Sequence, residues 1–343
     1  MKKSIKIWLI VASALAVAGI ITFIGALAMA KFNLSIFLTA KHETNTHEIS
    51  EEFNSISINT LDADVSFLPS EDETCKVICY ENPKMKHSVY VSDGALNIDC
   101  VNERKWYDHI NIGISSKNPM LTIYIPAKEY TSLYVKAQTS DVGMPSDFSF
   151  DDIDISVSTG DVKCYASASN SVNIKATTGD IELEGVCAKN ITLRVSTGKI
   201  NASSVNCEGN LDITVKTGKT ELDGVICQSL SSEGTTGKLF LTDVTVSENA
   251  SIERDTGDVT LTSCLIGRLC VETSTGRVTL DACDAEEISI KTDTGDVRGT
   301  LLSEKIFFTK TDTGDVDVPR TTSGGTCDVT TDTGDIIFSI ISE

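Results

Sequence analysis

The amino-acid sequence predicts an all-β protein: a single-stacked β-helix with rungs of 19 or 20 residues, preceded by an N-terminal transmembrane helix. Two observations carry this prediction. The dipeptide Thr-Gly recurs ten times at a nearly fixed interval in the 343-residue chain, and an uncharged apolar run lies near the N-terminus. A fixed period in this range is typical of solenoids, in which each repeat buries its apolar side against its neighbours.

The N-terminal segment is predicted to anchor the chain in the cytoplasmic membrane. Three lysines precede an apolar run over residues 7–30, and a spanning helix needs roughly 20 residues. Because positively charged flanks stay inside, residues 1–6 form a cytoplasmic tail and the C-terminal bulk is extracytoplasmic, which makes this a single-pass membrane protein. A cleaved secretory signal is the alternative, since Ala26-Leu27-Ala28 and Ala28-Met29-Ala30 both suit a signal peptidase.

The residues before each repeated glycine alternate as in a strand. An aliphatic residue stands five places before the glycine in eight of ten repeats, Ser232 and Thr309 being the exceptions, and the residue two places before it is always polar. This alternation predicts a strand with one buried face, on which we also expect the Thr that precedes each glycine. The glycines are Gly160, Gly179, Gly198, Gly218, Gly237, Gly257, Gly276, Gly295, Gly314 and Gly334.

The residues after each glycine indicate a corner. A charged residue follows in every repeat, and the next is aliphatic in nine of ten, with Thr220 as the exception. The alternation changes phase here, which predicts a two-residue corner in which glycine supplies positive φ and the charged side chain faces water. A leucine-rich repeat has a similar period but its asparagine ladder and helical half are missing, and hairpin or propeller architectures fit the period less well.

The segment in front of the repeats is predicted to close the solenoid. Residues 31–52 are interpreted as a linker, since residues 41–52 are polar and aperiodic, whereas residues 53–138 hold short apolar strands and are interpreted as an irregular β N-terminal cap. An open solenoid end would expose strand edges and core, so a cap is required. Residues 139–343 form the repetitive β-helix, with Thr139-Ser140-Asp141 as a degenerate opening rung.

These features together resemble a known family. An N-terminal anchor, a strand-rich lead-in containing LTIYIP, and a recurring T-S/T-G-D phrase are similar to the bacterial "putative adhesin" family, a domain-of-unknown-function family of membrane-tethered or secreted β-helical proteins. The resemblance covers roughly residues 53–340. It implies a cell-surface role, in some members linked to envelope stress, and it supplies no catalytic residues that could be carried over.

The charge pattern indicates which partners are suitable. A net charge of −20 and a pI near 4.6 disfavour nucleic acid, which binds clustered Lys and Arg. Five basic residues near the corners nevertheless form a candidate ligand surface for an anionic wall polymer, lipid headgroups or a surface protein. The alternative is simple cross-rung pairing, with Asp180 facing Lys199 and Asp258 facing both Lys238 and Arg277. The five residues are Lys199, Lys216, Lys219, Lys238 and Arg277.

Cysteines and carboxylates suggest further candidates. Several of the eleven cysteines recur at the rung period, as Cys207 and Cys227 do, so they either fill the core as small apolar side chains or form cross-rung disulfides. Cys75 and Cys79 lack a second pair at metal spacing, so no metal site is predicted. Carboxylates of the last three rungs either form a solvated edge or hold Ca²⁺. They are Asp293, Asp296, Asp312, Asp315, Asp332 and Asp335.

The function predicted from these observations is non-catalytic. No histidine lies in the repeats and the carboxylates recur at one turn position, whereas catalysis needs groups with distinct environments. We therefore predict a cell-envelope-anchored, adhesion-like binding protein that requires no cofactor. A polysaccharide-active β-helical enzyme and a purely structural spacer are the alternatives.

Overall fold

The computed structural model describes residues 3–29, 42–71, 74–104 and 117–341. A single helix, α1 (Lys3–Met29), precedes a β-solenoid of about ten turns, and 69% of the structure is strand. The window Trp8–Gly25 of α1 is apolar enough to cross a membrane, and none of it is buried against the protein. The helix begins at Lys3, inside the segment that the sequence analysis assigned to the cytoplasmic tail.

The body consists of strands in close succession along the chain. Nine strands precede the regular repeats: β1 (Glu43–Ile49), β2 (Ser55–Thr60), β3 (Asp64–Pro69), β4 (Cys75–Glu81), β5 (Met85–Ser92), β6 (Ala95–Asn102), β7 (Met120–Ile125), β8 (Glu129–Thr139) and β9 (Val142–Met144). The repeats contain β10 (Ser149–Thr159), β11 (Val162–Cys164), β12 (Ser167–Thr178), β13 (Ile181–Glu184), β14 (Cys187–Ala188), β15 (Asn190–Thr197), β16 (Ile200–Ser203), β17 (Asn206–Thr217), β18 (Thr220–Asp223), β19 (Ile226–Thr236), β20 (Leu239–Thr242), β21 (Thr245–Thr256), β22 (Val259–Thr262), β23 (Leu265–Thr275), β24 (Val278–Thr294), β25 (Val297–Leu301), β26 (Lys305–Thr313), β27 (Val316–Asp317), β28 (Gly325–Thr333) and β29 (Ile336–Ile340).

Each rung combines one long and one short strand joined at the Thr-Gly corner. Long strands stack in parallel on one side, as β10, β12 and β15 do, and short strands such as β11 and β13 stack in parallel on the other. A second corner follows the short strand, where the chain passes through a left-handed residue such as Ser204, with φ of 53°. The Thr-Gly repeat does not predict this second corner, because only some rungs place glycine there.

The core lies between the two strand stacks. It is formed by the inward-facing residues of each strand, as the alternation of apolar and polar residues predicts. The aliphatic residues five before and two after the glycine are buried, as Ile174 and Ile181 are, except Val316 in the outermost rung, which is exposed. The expectation that the Thr before glycine faces inward is wrong: these threonines are exposed in every repeat. Strand alternation ends three residues before the glycine, at positions such as Ala176, and the backbone already turns outward beyond it.

A charged side chain, Arg254, lies inside the core and explains why Ser232 replaces an aliphatic residue five places before Gly237. Arg254 is 4% exposed, and its guanidinium donates hydrogen bonds to the carbonyl oxygen of Ser232 at 3.1 Å and to its hydroxyl at 2.8 Å. Gly234, which lies opposite Arg254 in the next strand, leaves room, since a Cβ there would be 2.7 Å from Nη1. Burial lowers the pKa of Arg254 to about 10. Small residues at 232 and 234 therefore accommodate this arginine.

The N-terminal end has a different strand order from the chain order. The rung β2–β3 pairs on one side with β8–β9 and on the other with β6–β7. Antiparallel strands β1, β4 and β5 complete this end. Residues 43–49, which the sequence analysis placed in the linker, are thus strand β1. Its alternating polar side chains resemble a linker because β1 is an edge strand that, among the described strands, pairs with β4 alone.

The C-terminal end repeats this arrangement. Strand β28 lies between β24 and β26, and β29 lies between β25 and β27. The amide of Gly295 donates to Thr333, and that of Gly334 donates to Thr313. The last rung in sequence is therefore next to last in space, and residues 305–317 form the outermost rung.

Hydrogen exchange should reveal this order. We expect the amides of β28 to exchange roughly tenfold more slowly than those of β26, since β28 is paired on both sides and β26 on one. Hydrogen–deuterium exchange with mass spectrometry on the full chain measures both, with the interior strand β17 as the reference for strong protection. Better protection of β26 than of β28 would show that the rungs stack in sequence order instead.

Glycine at the Thr-Gly corner should be irreplaceable for steric reasons. Gly198 has φ of +146°, and a Cβ on it would overlap the carbonyl oxygen of Gly179 in the preceding rung. We expect Gly198→Ala to destabilise the fold by about 3 kcal/mol. The control is Gly185→Ala at the second corner, where φ is +66° but no atom lies within 4 Å, so a loss of only about 1 kcal/mol is expected. Urea unfolding midpoints measure both, and equal losses would contradict the steric argument.

Candidate functional site

The structure brings four of the five predicted ligand-surface residues together. Lys199, Lys219 and Lys238 follow the glycine in three consecutive rungs, and the backbone bonds Ile200 N to Lys219 O and Thr220 N to Lys238 O hold these corners side by side. We call Lys199, Lys216, Lys219 and Lys238 the lysine stripe. Arg277 is separated from it by the rung of Asp258.

Only part of the lysine stripe is neutralised by neighbours. Lys238 pairs with Asp258 at 2.8 Å, and Lys219 pairs with Glu221 while its ammonium group lies 4.7 Å from the ring centroid of Phe240. Lys199 and Lys216 are exposed, and no carboxylate of the described residues pairs with either. Outside the stripe, Arg277 is 3.7 Å from Asp296. The expected pairing of Asp180 with the Lys199 side chain is replaced by a bond to the Lys199 backbone.

The aspartates after the glycines are solvent-accessible, but their carboxylates accept hydrogen bonds from the backbone of the adjacent rung. The carboxylate of Asp180 accepts a hydrogen bond from the amide of Lys199 at 2.8 Å, and Asp161 accepts one from Asp180 at 2.8 Å. Equivalent bonds begin at the first rung, where Asp64 accepts from Asp141 at 2.9 Å. Each of these corner aspartates thus satisfies an amide of the adjacent rung, which the lysines at these positions cannot do.

The acidic end of the solenoid follows the same rule. Asp296 accepts from the amide of Asp335 at 3.2 Å, and Asp335 accepts from Asp315 at 3.1 Å. Arg298 lies 3.1 Å from Asp296 and 3.6 Å from Asp335. For Asp296 and Asp335 these contacts support the edge-and-turn interpretation, because their carboxylates already accept hydrogen bonds.

The repeating cysteines occupy aliphatic positions of the core. Cys207 lies opposite Cys227, which lies opposite Val246. Cys264 and Cys283 are buried in adjacent rungs, and the hydrogen bond between the two thiols, together with burial, raises the pKa of Cys264. All eleven cysteines are thiols in this structure.

A second candidate site lies in the N-terminal cap, where the sequence analysis expected none. The Nδ1 atom of His87 is 2.7 Å from Oε2 of Glu81, an oxygen that also accepts from the His87 amide at 2.7 Å. Asn45 donates to Oε1 of Glu81 at 2.8 Å, and the Thr60 hydroxyl is 3.0 Å from Nε2 of His87. The Cys79 sulfur lies within 4.8 Å of both a Glu81 oxygen and a His87 nitrogen. We call Cys79, Glu81 and His87 the cap cluster.

The geometry and burial of the cap cluster limit its chemistry. Thr60, His87 and Glu81 are arranged like a hydroxyl–imidazole–carboxylate triad. All three are at most 4% exposed, so a substrate carbonyl cannot approach the hydroxyl. The donor set of thiol, imidazole and carboxylate is instead one that could hold a divalent metal ion.

The sequence contains one signal for the cap cluster, in strand β4. Cys79 and Glu81 alternate on the apolar face of TCKVICYE, so Glu81 is a carboxylate at a core position. A charged residue in such a place is rarely buried without a partner. That His87 would be the partner depends on the turn between β4 and β5, and spacing alone does not specify this.

Removing a corner carboxylate should destabilise the fold although the residue is at the surface. We expect Asp180→Ala to lower the free energy of unfolding by about 1 to 2 kcal/mol, because the Lys199 amide loses its charged acceptor. The control is Asp154→Ala, an exposed carboxylate on a neighbouring long strand, with an expected change within about 0.5 kcal/mol. Urea unfolding of the full chain measures both. Equal changes would mean that the hydrogen bond is not what makes aspartate favourable here.

The chain is similar to several solved structures at low sequence identity. None of the curated proteins matches the chain. A crystal structure named a "putative adhesin" from Bacteroides fragilis is 13% identical, with a TM-score of 0.34 over 88% of this chain and 98% of that one. A "putative lipid binding protein" from Parabacteroides distasonis is 14% identical, with a TM-score of 0.40 over 75% of this chain and 96% of that one. A "putative cell adhesion protein" from Clostridium sporogenes is 13% identical, with a TM-score of 0.25 over 88% and 100%.

A family model supplies the assignment. The model described as Toastrack DUF4097 matches residues 53–262 and, in a second overlapping match, residues 209–343. The two matches together include every strand of the β body from β2 onward. The chain therefore belongs to the Toastrack DUF4097 family.

Proposed function

We propose that this chain is an anchored, extracytoplasmic, adhesion-like binding protein whose lysine stripe takes an anionic polymer of the cell envelope. The N-terminal helix supports the anchoring, since α1 is long and apolar enough to span a bilayer. Lysines stand on its N-terminal side, which favours a cytoplasmic N-terminus and an external β-solenoid. No catalytic step is part of this proposal.

The observation that carries the proposal is the lysine stripe itself. Its corner lysines occupy three consecutive rungs, and stacked strands repeat at about 4.8 Å. Lys199 and Lys216 are exposed without a carboxylate partner among the described residues. In a chain with a net charge of −20, such a concentration of uncompensated positive charge attracts anions locally.

The shape of the stripe favours a polymer over a small anion. The lysines lie on exposed corners, where each contact with an anion contributes only about 0.2 to 1 kcal/mol. A single small anion reaches few of them, whereas a chain with repeated negative charges can contact several rungs at once. Several weak contacts along one chain then add up to useful affinity.

The same binding activity would suit a role in the response to envelope stress. The family resemblance implies a link to envelope stress in some members, and polymer binding at the surface would suit such a role. A polysaccharide-active enzyme and a structural spacer are the alternatives. A spacer would bind no polymer, and an enzyme would shorten the polymer it binds, so one binding experiment addresses all three.

Charge reversal of the stripe should abolish polymer binding. We expect the triple variant Lys199→Glu, Lys219→Glu, Lys238→Glu to bind a poly(glycerol phosphate) probe at least roughly tenfold more weakly than the wild-type chain, because three attractive contacts become repulsive. Calorimetry on the full chain in detergent measures the affinity at two salt concentrations. The wild-type affinity should fall as salt rises.

A matched variant controls for net charge. Lys175, Lys189 and Lys291 are exposed and lie outside the lysine stripe, and changing all three to Glu alters the net charge by the same amount. Wild-type affinity in this control supports the stripe. Equal weakening in both variants, or no binding by the wild-type chain to this phosphate polymer or to a carboxylate polymer such as polygalacturonate, contradicts the proposal. Shortening of either polymer would favour the enzyme instead.

A further inference from the structure

We propose that the cap cluster is a binding site for a zinc-like divalent cation, with Cys79, Glu81 and His87 as its ligands. This site is separate from the lysine stripe and independent of polymer binding. The three side chains come from two strands, β4 and β5, and each is at most 4% exposed. Their ligand atoms lie within 4.8 Å of one another.

The donor set matches the preferences of zinc. Zinc binds thiolate sulfur, imidazole nitrogen and carboxylate oxygen at about 2.0 to 2.3 Å in a tetrahedral arrangement. In such an arrangement the ligand atoms are about 3.2 to 3.7 Å apart. Atoms that already lie within 4.8 Å need to move by little more than an ångström to close on one ion. A water molecule can complete the fourth position.

The charges around the cap cluster favour a cation. The buried Glu81 has His87 as its only basic partner among the described residues. Nearby Asp62 has a buried Oδ1 without a hydrogen-bond partner, and the nearest guanidinium contact, from Arg104, is 3.9 Å away. The Glu81 carboxylate thus contacts a buried imidazole and no permanently charged cation among the described residues, and a divalent cation would supply the missing charge.

Two further side chains are placed to orient the ligands. Asn45 holds Oε1 of Glu81 at 2.8 Å, and Thr60 lies 3.0 Å from Nε2 of His87. With the cation on Nδ1, the Nε2–H group donates to the Thr60 hydroxyl, which fixes the tautomer. Hydrogen bonds of this kind to the far side of metal ligands are the usual support of zinc sites.

Binding of the cation releases one proton, that of the Cys79 thiol. Without a cation the Cys79 side chain is a free, buried thiol. When the cation binds, the sulfur–hydrogen bond breaks, the proton leaves to solvent and the sulfur forms a bond to the metal. Glu81 contributes its carboxylate and His87 its neutral ring, so no oxidant or reductant is needed.

Binding would tie the cap together. β4 pairs with β1 and β7 in one strand stack, whereas β5 pairs with β6 in the other. A cation shared by Cys79, Glu81 and His87 therefore links the two stacks at the end of the solenoid. A ligand that binds only the folded state stabilises it, so the cap should resist unfolding better with the cation than without it.

Cobalt provides a direct optical test. The full chain is purified in detergent, kept reduced, freed of metal with a chelator and titrated with Co²⁺. We expect a thiolate-to-cobalt charge-transfer band that saturates at one equivalent and disappears when Zn²⁺ is added. Cys79→Ser should abolish the band. Cys75→Ser is the matched control, because Cys75 is a buried thiol on the same strand face but lies outside the cap cluster, and it should leave the band unchanged.

A second variant keeps the test decisive if Cys79→Ser does not fold, as judged by circular dichroism. Asn45→Ala leaves all three ligands in place and should weaken Co²⁺ binding by about 10- to 100-fold. Absence of the band in the wild-type chain, its persistence in folded Cys79→Ser, or its equal loss in Cys75→Ser would overturn the proposal. Unchanged affinity in Asn45→Ala would overturn it as well.

Discussion

Close stacking of the Thr-Gly corners is the constraint on which the rest of this β-solenoid depends. At each corner the carbonyl oxygen of one glycine occupies the place that a Cβ of the next glycine would need, as Gly179 does for Gly198. The left-handed backbone of these residues adds a second reason for glycine. Because a glycine stacked in this way cannot carry a side chain, Thr-Gly recurs once per rung, and the core positions before and after the glycine follow from it.

The residue after the glycine either stabilises the corner, when it is aspartate, or adds positive charge to the surface, when it is lysine. Aspartate at this position accepts the amide of the next rung, as Asp161 does for Asp180. Lysine offers no acceptor, so the lysines of the middle rungs give up this bond. What they provide instead is a row of positive charge on an otherwise acidic solenoid. A departure from the structurally favoured residue in three consecutive rungs is what makes the lysine stripe a functional candidate.

The two ends of the solenoid solve the problem of exposed edges in a related way. At each end the terminal rung of the sequence is inserted one place inward, so that β2 and β28 are paired on both sides. A chain terminus paired on both sides frays less readily than one at an edge. At the N-terminal end antiparallel strands add further cover, and the buried contact between Glu81 and His87 connects two of them.

The sequence by itself determined the solenoid, its rung length and most of its core, because glycine spacing and aliphatic alternation are local consequences of strand and corner geometry. It also identified the apolar helix and the basic residues that the structure gathers into the lysine stripe. It wrongly predicted that the Thr before each glycine is buried, because the alternation of apolar and polar residues does not show where the backbone turns at a corner. It also missed the strand at residues 43–49, because a polar edge strand lacks the apolar residues by which a strand is recognised. Only the tertiary structure decided the order of the terminal rungs and the meeting of Cys79, Glu81 and His87. These depend on contacts between segments distant in sequence, which periodicity does not record.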